Sequence, residues 1–172
     1  LPLRRMKDGS ACFELRPSPA ETHLLQGIVY ESRGLNREAR RAYRQAAEED
    51  PGYDLPWFWL GYAALRQGDP DARQWFDEAI QRNPQALRAR LLRAKCRRDQ
   101  EPEPALEELI AMMDRWPDYA PAASAMAELL ESHGVCEEAL HWYNHALKIN
   151  PFYSPAALGM GRIFEGRGDR DR

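Results

Sequence analysis

The chain has 172 residues, 44% of them hydrophobic, which is long enough and apolar enough to bury a core and excludes wholesale disorder. Its formal charge of −3 provides no overall basic field to draw in nucleic acid or anionic lipid. Three widely spaced cysteines, Cys12, Cys96 and Cys136, fit free thiols in a reducing compartment such as the cytoplasm better than a disulfide framework.

Residues 1–16 are expected to be an extension or linker ahead of the folded part. Cys12, Phe13 and Leu15 are candidates to cap the first helix. The start at Leu1 and the charged finish at Arg172 lead us to expect a fragment of a longer protein. Leu1-Pro-Leu-Arg-Arg-Met-Lys7 would suit a juxtamembrane stretch of a membrane-anchored parent.

From Pro17 the sequence becomes periodic. Prolines recur at Pro17, Pro51, Pro84, Pro117 and Pro151, with spacings of 34, 33, 33 and 34 residues. Two helix-like segments lie between each pair, divided by Gly34-Leu-Asn36, Gly68-Asp-Pro70, Gln100-Glu-Pro-Glu-Pro104 and Gly134-Val-Cys136. Units are expected over 18–51, 52–84, 85–117 and 118–151, with a partial fifth over 152–168. Ser18-Pro19-Ala20-Glu21 offers an N-cap serine, a proline at the first helical position and a capping-box glutamate. Asp69-Pro70 and Ser154-Pro155 repeat the cap-then-proline pattern. Gly34, Gly68, Gly134 and Gly168 stand where a first helix must end in a residue of positive φ. No segment alternates with a two-residue period, so no strand is needed.

Within each unit the same kinds of residue recur. The second carries Trp57, Leu60 and Gly61, then Ala72, Phe76 and Ala79, and closes at Pro84. The first gives Gly27 and Tyr30, then Ala39, Tyr43, Ala46 and Pro51. The fourth gives Met126, Ala127 and Leu130, then Ala139, Tyr143, Ala146 and Pro151. The fifth opens with Met160, Gly161 and Phe164 and lacks its second helix. This pattern, W-x2-L-G-x2-Y, then A-x3-F, then P, resembles the tetratricopeptide repeat from about Pro17 to Gly168. Small residues at Gly27, Gly61, Ala94, Ala127 and Gly161 are expected to admit close helix approach, and Tyr43, Phe76 and Tyr143 to fill the gap. The third unit departs from the pattern. In register, Arg90, Arg93 and Arg97 fall where apolar groups belong, whereas a one-residue shift turns Ala89, Leu92 and Cys96 inward.

The resemblance implies an all-α, right-handed superhelical solenoid of antiparallel helix pairs, with first helices lining a concave groove that docks protein or peptide partners. Groove positions would be Leu24, Ile28, Leu55, Phe58, Tyr62, Leu65, Arg88, Leu91, Lys95 and Arg98, followed by acidic Glu128 and Glu131. Phe58 and Tyr62 would anchor a partner helix or apolar peptide, or else simply pack between helices. Clamping of a chaperone's terminal carboxylate is disfavoured, because Leu24 and Ile28 replace the lysine and asparagine such a clamp needs. The alternatives are self-assembly through the open fifth unit and tethering within a bacterial envelope or exopolysaccharide machine.

Other constellations are weaker. The basic run Arg88–Arg98 is followed at once by Glu101, Glu103, Glu107 and Glu108, so an ion-paired helix or an acidic protein partner is preferred to nucleic acid. His133, Cys136, His141 and His145 lie near one another in sequence, but they divide between a turn and successive helical turns, so no metal site is expected. Trp75 and Trp142 would cover joints between units or mark an outer interface, with the joints preferred. No phosphate loop, nucleophile elbow or His-Glu-x-x-His motif is present, so neither enzymatic activity nor a cofactor is expected.

Overall fold

The computed structural model describes residues 17–166 and 168, together with the backbone of residues 3–5 and 11–13. Two short strands, β1 (Leu3–Arg5) and β2 (Ala11–Phe13), pair antiparallel with Leu3 opposite Phe13. This hairpin corrects the expectation that strands are not needed. The side chains of residues 1–16, Cys12, Phe13 and Leu15 among them, lie outside the described residues.

Everything else described is helix and turn. The helices are α1 (Pro19–Ser32), α2 (Asn36–Glu49), α3 (Asp54–Arg66), α4 (Ala72–Arg82), α5 (Leu87–Arg97), α6 (Pro102–Arg115), α7 (Ala120–Ser132), α8 (Cys136–Ile149) and α9 (Ser154–Gly166). They form pairs α1–α2, α3–α4, α5–α6 and α7–α8, each packed on the next, with α9 stacked on α7 and α8. Contacts also run directly between α3 and α5, α5 and α7, and α7 and α9. The odd-numbered helices are thereby drawn together along the inside of the curve, and the result is an all-α superhelical solenoid.

Local chemistry sets the helix ends. Ser18 Oγ accepts the Glu21 N–H at 3.1 Å and Glu21 Oε2 accepts the Ser18 N–H at 2.7 Å, closing the capping box. Gly34, Gly68 and Gly134, with φ of 74°, 68° and 77°, turn the first helices into the second. The other two expected caps differ. Asp69 Oδ1 accepts from the Asp71 N–H at 3.1 Å in a turn, and α4 starts only at Ala72. Helix α9 begins at Ser154 itself.

The interior is built around the rings of the second helices. Tyr43, Phe76 and Tyr143 are completely buried, each between alanines that are buried too. Such a ring removes about 150–250 Å² from water, about 4–6 kcal/mol before conformational entropy is subtracted. Room for the rings comes from missing side chains opposite. A Cβ on Gly27 would sit 2.3 Å from the Tyr43 ring, and one on Gly61 would sit 2.8 Å from the Phe76 ring. Gly161 does not play this role, since a Cβ there would meet no described atom within 4 Å. Instead Gly159 faces Tyr143 of the preceding unit, its Cβ position 2.2 Å from the ring.

Gly27→Ala is therefore expected to destabilise the solenoid by about 1–3 kcal/mol through overpacking. Gly161→Ala should be neutral or stabilising by up to about 1 kcal/mol, from helix propensity alone. Urea unfolding of the two variants beside the wild type distinguishes them, and equal midpoints would contradict this account of the glycine slots.

Candidate functional site: an aromatic cleft on the concave face

A cleft lies between α3, α5 and the start of α7. It measures about 470 Å³ and is lined by Phe58, Trp59, Tyr62, Arg88, Leu91, Leu92, Tyr119 and Pro121. A second cleft of about 400 Å³ shares Phe58, Trp59 and Arg88, and extends past Leu55 and Leu87.

The aromatic floor is preorganised by ring contacts. Phe58 stacks on Tyr62 at 6.3 Å between centroids, meets Trp59 edge-on at 5.6 Å and leans on Phe76 at 6.1 Å. Trp59 stacks in turn on Tyr43 of the preceding unit at 5.9 Å. Phe58 is only 8% exposed, so it belongs chiefly to the core, while half-buried Tyr62 forms the accessible wall. Burial pushes the Tyr119 phenol up, against the opposing charge of Arg88. Arg88 is the one charged side chain in the 470 Å³ lining.

Of the ten residues expected along the groove, the structure brings Phe58, Tyr62, Arg88 and Leu91 into this cleft and puts Leu55 in the adjoining one. Leu24 is buried in the core of the first two units, with Ile28 half-buried against it. Leu65 lines a separate cleft of about 220 Å³ between α3, α4 and the end of α5. Lys95 pairs with Glu128 at 2.9 Å, and Arg98 pairs with Asp99 at 2.8 Å. Trp59, Leu92, Tyr119 and Pro121 were absent from the expected groove. A signal for Tyr119 does exist, because a tyrosine recurs just before α3, α7 and α9 as Tyr53, Tyr119 and Tyr153.

Most of the basic run is engaged internally. Arg93 binds both oxygens of buried Glu108 and reaches Asp77 at 2.7 Å, while Arg97 lies 3.6 Å from both Glu101 and Glu108. Burial works against the charge on Arg93, but the bonds to Glu108 and Asp77 outweigh it and raise its pKa. Both sequence readings of this helix hold in part. Ala89 turns fully inward and Leu92 and Cys96 half inward, while Arg93 is also drawn in and neutralised.

At the far end of the concave face a cleft of about 590 Å³ brings together Arg98, Glu128, Glu131 and Arg162 beside Pro155 and Leu158. The Arg162 guanidinium, helped by the Tyr143 hydroxyl, holds Glu131 below its usual range despite partial burial.

Trp75, Trp142 and the histidines of the fourth unit are engaged within the molecule. Trp75 stacks on Trp57 at 5.9 Å and touches the cores on both sides, so it covers the joint between units. Trp142 packs on the core of the last units, with His141 and His145 edge-on to its ring. His133 Nδ1 contacts the Leu129 carbonyl at 2.9 Å. Among the described residues no group of three or more His, Cys, Asp or Glu side chains is arranged to hold a metal.

Helix pairs repeating every 33–34 residues and stacked along one curve define an α-solenoid. A tetratricopeptide-repeat family model matches residues 24–86. The solved structure of MamA superposes with a TM-score of 0.69 at 22% identity, over 89% of this chain and 85% of that one. PilF of Pseudomonas aeruginosa gives 0.75 at 17% identity, over 88% of this chain and 70% of that one. YrrB, described as a TPR protein with an unusual peptide-binding site, gives 0.66 at 21% identity, over 80% and 72%. No curated protein matches the sequence. Residues 24–86 thus match the tetratricopeptide-repeat family, and the solved structures share the solenoid fold of the longer stretch.

Two predictions follow from the charges. Arg93→Leu alone should cost about 2 kcal/mol in chemical unfolding, since it leaves buried Glu108 only its longer 3.6 Å contact with Arg97, and adding Glu108→Leu should recover most of that loss. A single change no worse than the double would contradict a paired, desolvated site. Glu131 has a depressed folded pKa, so its contribution is present above the ordinary value of 4.5 and is lost as pH falls through the lowered one. Glu131→Gln should therefore cost about 1 kcal/mol at neutral pH, with the two thermal midpoints converging in acid. Parallel midpoint curves from pH 7 to 3 would show that the carboxylate carries no such linkage.

Proposed function

We propose that the chain is a docking scaffold whose concave face grips a segment of another protein, seating an apolar side chain between Tyr62, Leu91 and Tyr119. Tetratricopeptide-repeat proteins generally mediate protein–protein contacts. The lining of the 470 Å³ cleft carries the reading here: four aromatic rings, two leucines and a proline around a single cation. A preformed, mostly apolar concavity with one polar handle favours a helix or extended peptide bearing an aliphatic or aromatic anchor. That lining contains no His, Cys, Asp or Glu, which supports binding over catalysis. The scaffold would act within a larger assembly in a reducing compartment.

Self-assembly through the fifth unit is the second reading, supported by Leu158 at 66% exposure on α9 and Phe152 at 91% just before it. Tethering by a membrane-anchored parent rests on residues 1–7 alone. None of the described helices is long and apolar enough to cross a membrane.

Peptide display selected on the wild-type chain tests the groove. Tyr62→Glu is the informative variant, because Phe58→Ala would empty part of the core and cost about 3–5 kcal/mol of stability. Selected peptides should share an apolar anchor and bind Tyr62→Glu at least tenfold more weakly, with helical circular dichroism unchanged. Equal binding to both proteins would rule the cleft out.

A further inference from the structure

We propose that the outward face of α9 is a docking surface for a tyrosine-bearing helix, whose ring would lie over Gly161 and whose hydroxyl would donate to Glu165. The proposal is independent of the concave cleft. It comes from comparing the same two positions in successive units of this chain.

In the first unit the small residue is Gly27, and four residues on stands Glu31. The Tyr43 ring lies over Gly27, and its hydroxyl donates to Glu31 Oε2 at 2.7 Å. In the fourth unit Ala127 and Glu131 stand at the same spacing, and the Tyr143 hydroxyl donates to Glu131. The second unit has Gly61 followed four residues later by Leu65, and there the ring is Phe76, which has no hydroxyl. The residue four after the small one thus matches the ring across from it: glutamate with tyrosine, leucine with phenylalanine. A buried phenol needs an acceptor, and a carboxylate turned toward a bare ring would lose its water without gaining a partner. Burial beside a carboxylate raises both phenol pKa values, so Tyr43 and Tyr143 stay protonated donors.

Helix α9 repeats the glutamate version. Gly161 is followed four residues later by Glu165, which is exposed, and the space above Gly161 is free of described atoms to 4 Å. Half-buried Met160 and Phe164 flank the slot. The turn beyond is also repeated. Gly168 has φ 74° and its N–H donates to the Glu165 carbonyl at 3.1 Å, as Gly34 donates to Glu31 at 2.9 Å and Gly134 to Glu131 at 3.0 Å.

The α9 face is therefore the translational continuation of an interface the molecule builds twice, and those two copies specify the occupant. It is a helix antiparallel to α9 with alanine four residues before the tyrosine and three after, as in Ala39-Tyr43-Ala46 and Ala139-Tyr143-Ala146. Tyr43 and Tyr143 are already buried in their own units and residues 169–172 contain no tyrosine, so the proposed occupant is a separate partner protein bearing such a helix.

The test uses a synthetic peptide spanning residues 136–150 with Cys136→Ser, which carries the required pattern, titrated into the intact chain by calorimetry. Saturable binding is expected, lost on Gly161→Leu in the chain. Tyr143→Phe in the peptide should weaken binding several-fold, and that penalty should vanish against Glu165→Gln. No saturation at millimolar peptide, or binding unaffected by Gly161→Leu, would overturn the proposal. Because short isolated helices are marginal in water, a second measurement grafts residues 139–153 directly after Arg172. The grafted tyrosine then lies nine residues past Gly168, as Tyr43 and Tyr143 lie nine past Gly34 and Gly134. The graft should raise the thermal midpoint by several degrees, an increase Gly161→Leu removes; a graft without effect refutes the slot. Self-association of the unmodified chain that Gly161→Leu abolishes would assign the face to a second copy and also overturn the proposal. Peptides that depend on Tyr62 should bind Gly161→Leu normally, which separates this surface from the groove.

Discussion

The architecture depends on one contact repeated along the chain: an aromatic ring pressed onto a position that has little or no side chain. With a Cβ on Gly27 only 2.3 Å from the Tyr43 ring, any larger residue would push α1 and α2 apart. Separation there would be felt beyond one pair, because each ring also serves the following unit. Tyr43 receives Trp59 at 5.9 Å, and Tyr143 meets Gly159. The ring is at once the core of its own hairpin and the seat of the next. A solenoid built this way has no central core, so its stability is a chain of neighbour terms and its ends are chemically unfinished.

The third unit shows what happens when that rule is relaxed. Its second helix supplies Leu109 and Met112 in place of a ring, and its first helix turns arginines toward the interior. A lone guanidinium there would be costly. The chain answers with carboxylates from both neighbouring helices, Asp77 on α4 and Glu108 on α6, so that Arg93 joins three helices where an apolar side chain would join two. An ion-paired joint is directional, unlike an apolar one, and the helix that carries it also lends Arg88, Leu91 and Leu92 to the aromatic cleft. The electrostatic substitution and the open apolar wall are two sides of one helix.

Much of this was legible in the sequence. Proline spacing, the capping box and the positive-φ glycines locate the pairs because they report backbone requirements that few residue types can meet. The slots for Gly27, Gly61, Tyr43, Phe76 and Tyr143 are local to a hairpin and equally readable. Contacts between units were harder. By register Gly161 reads as a close-approach slot, yet among the described residues no helix covers it, and Gly159, two positions earlier, makes the close approach to Tyr143. Side-chain direction in α5 also escaped a period count, because a helical stripe tells which residues share a face and says nothing of a carboxylate waiting on the next helix. The groove list differs from the cleft for a related reason. Leu24 occupies a concave position by register, yet neighbouring helices cover it, and the cleft lining includes Tyr119 and Pro121 from the fourth unit.

The same distinction separates the two candidate surfaces. On the concave face the rings exposed to a partner are extensions of the core: Tyr62 is held by Phe58, which is held by Phe76. Their rigidity is paid for by folding, so a ligand anchored there loses little to ordering the site. The α9 face works the other way. Its shape is already complementary to a ring, but the ring, its flanking alanines and the hydroxyl for Glu165 must all be brought by the incoming helix. Binding there is continued folding, with a correspondingly narrow sequence requirement, whereas the concave cleft sets conditions only on an anchor side chain. Under the two proposals, the groove takes a variable partner while the end accepts a helix of one defined pattern.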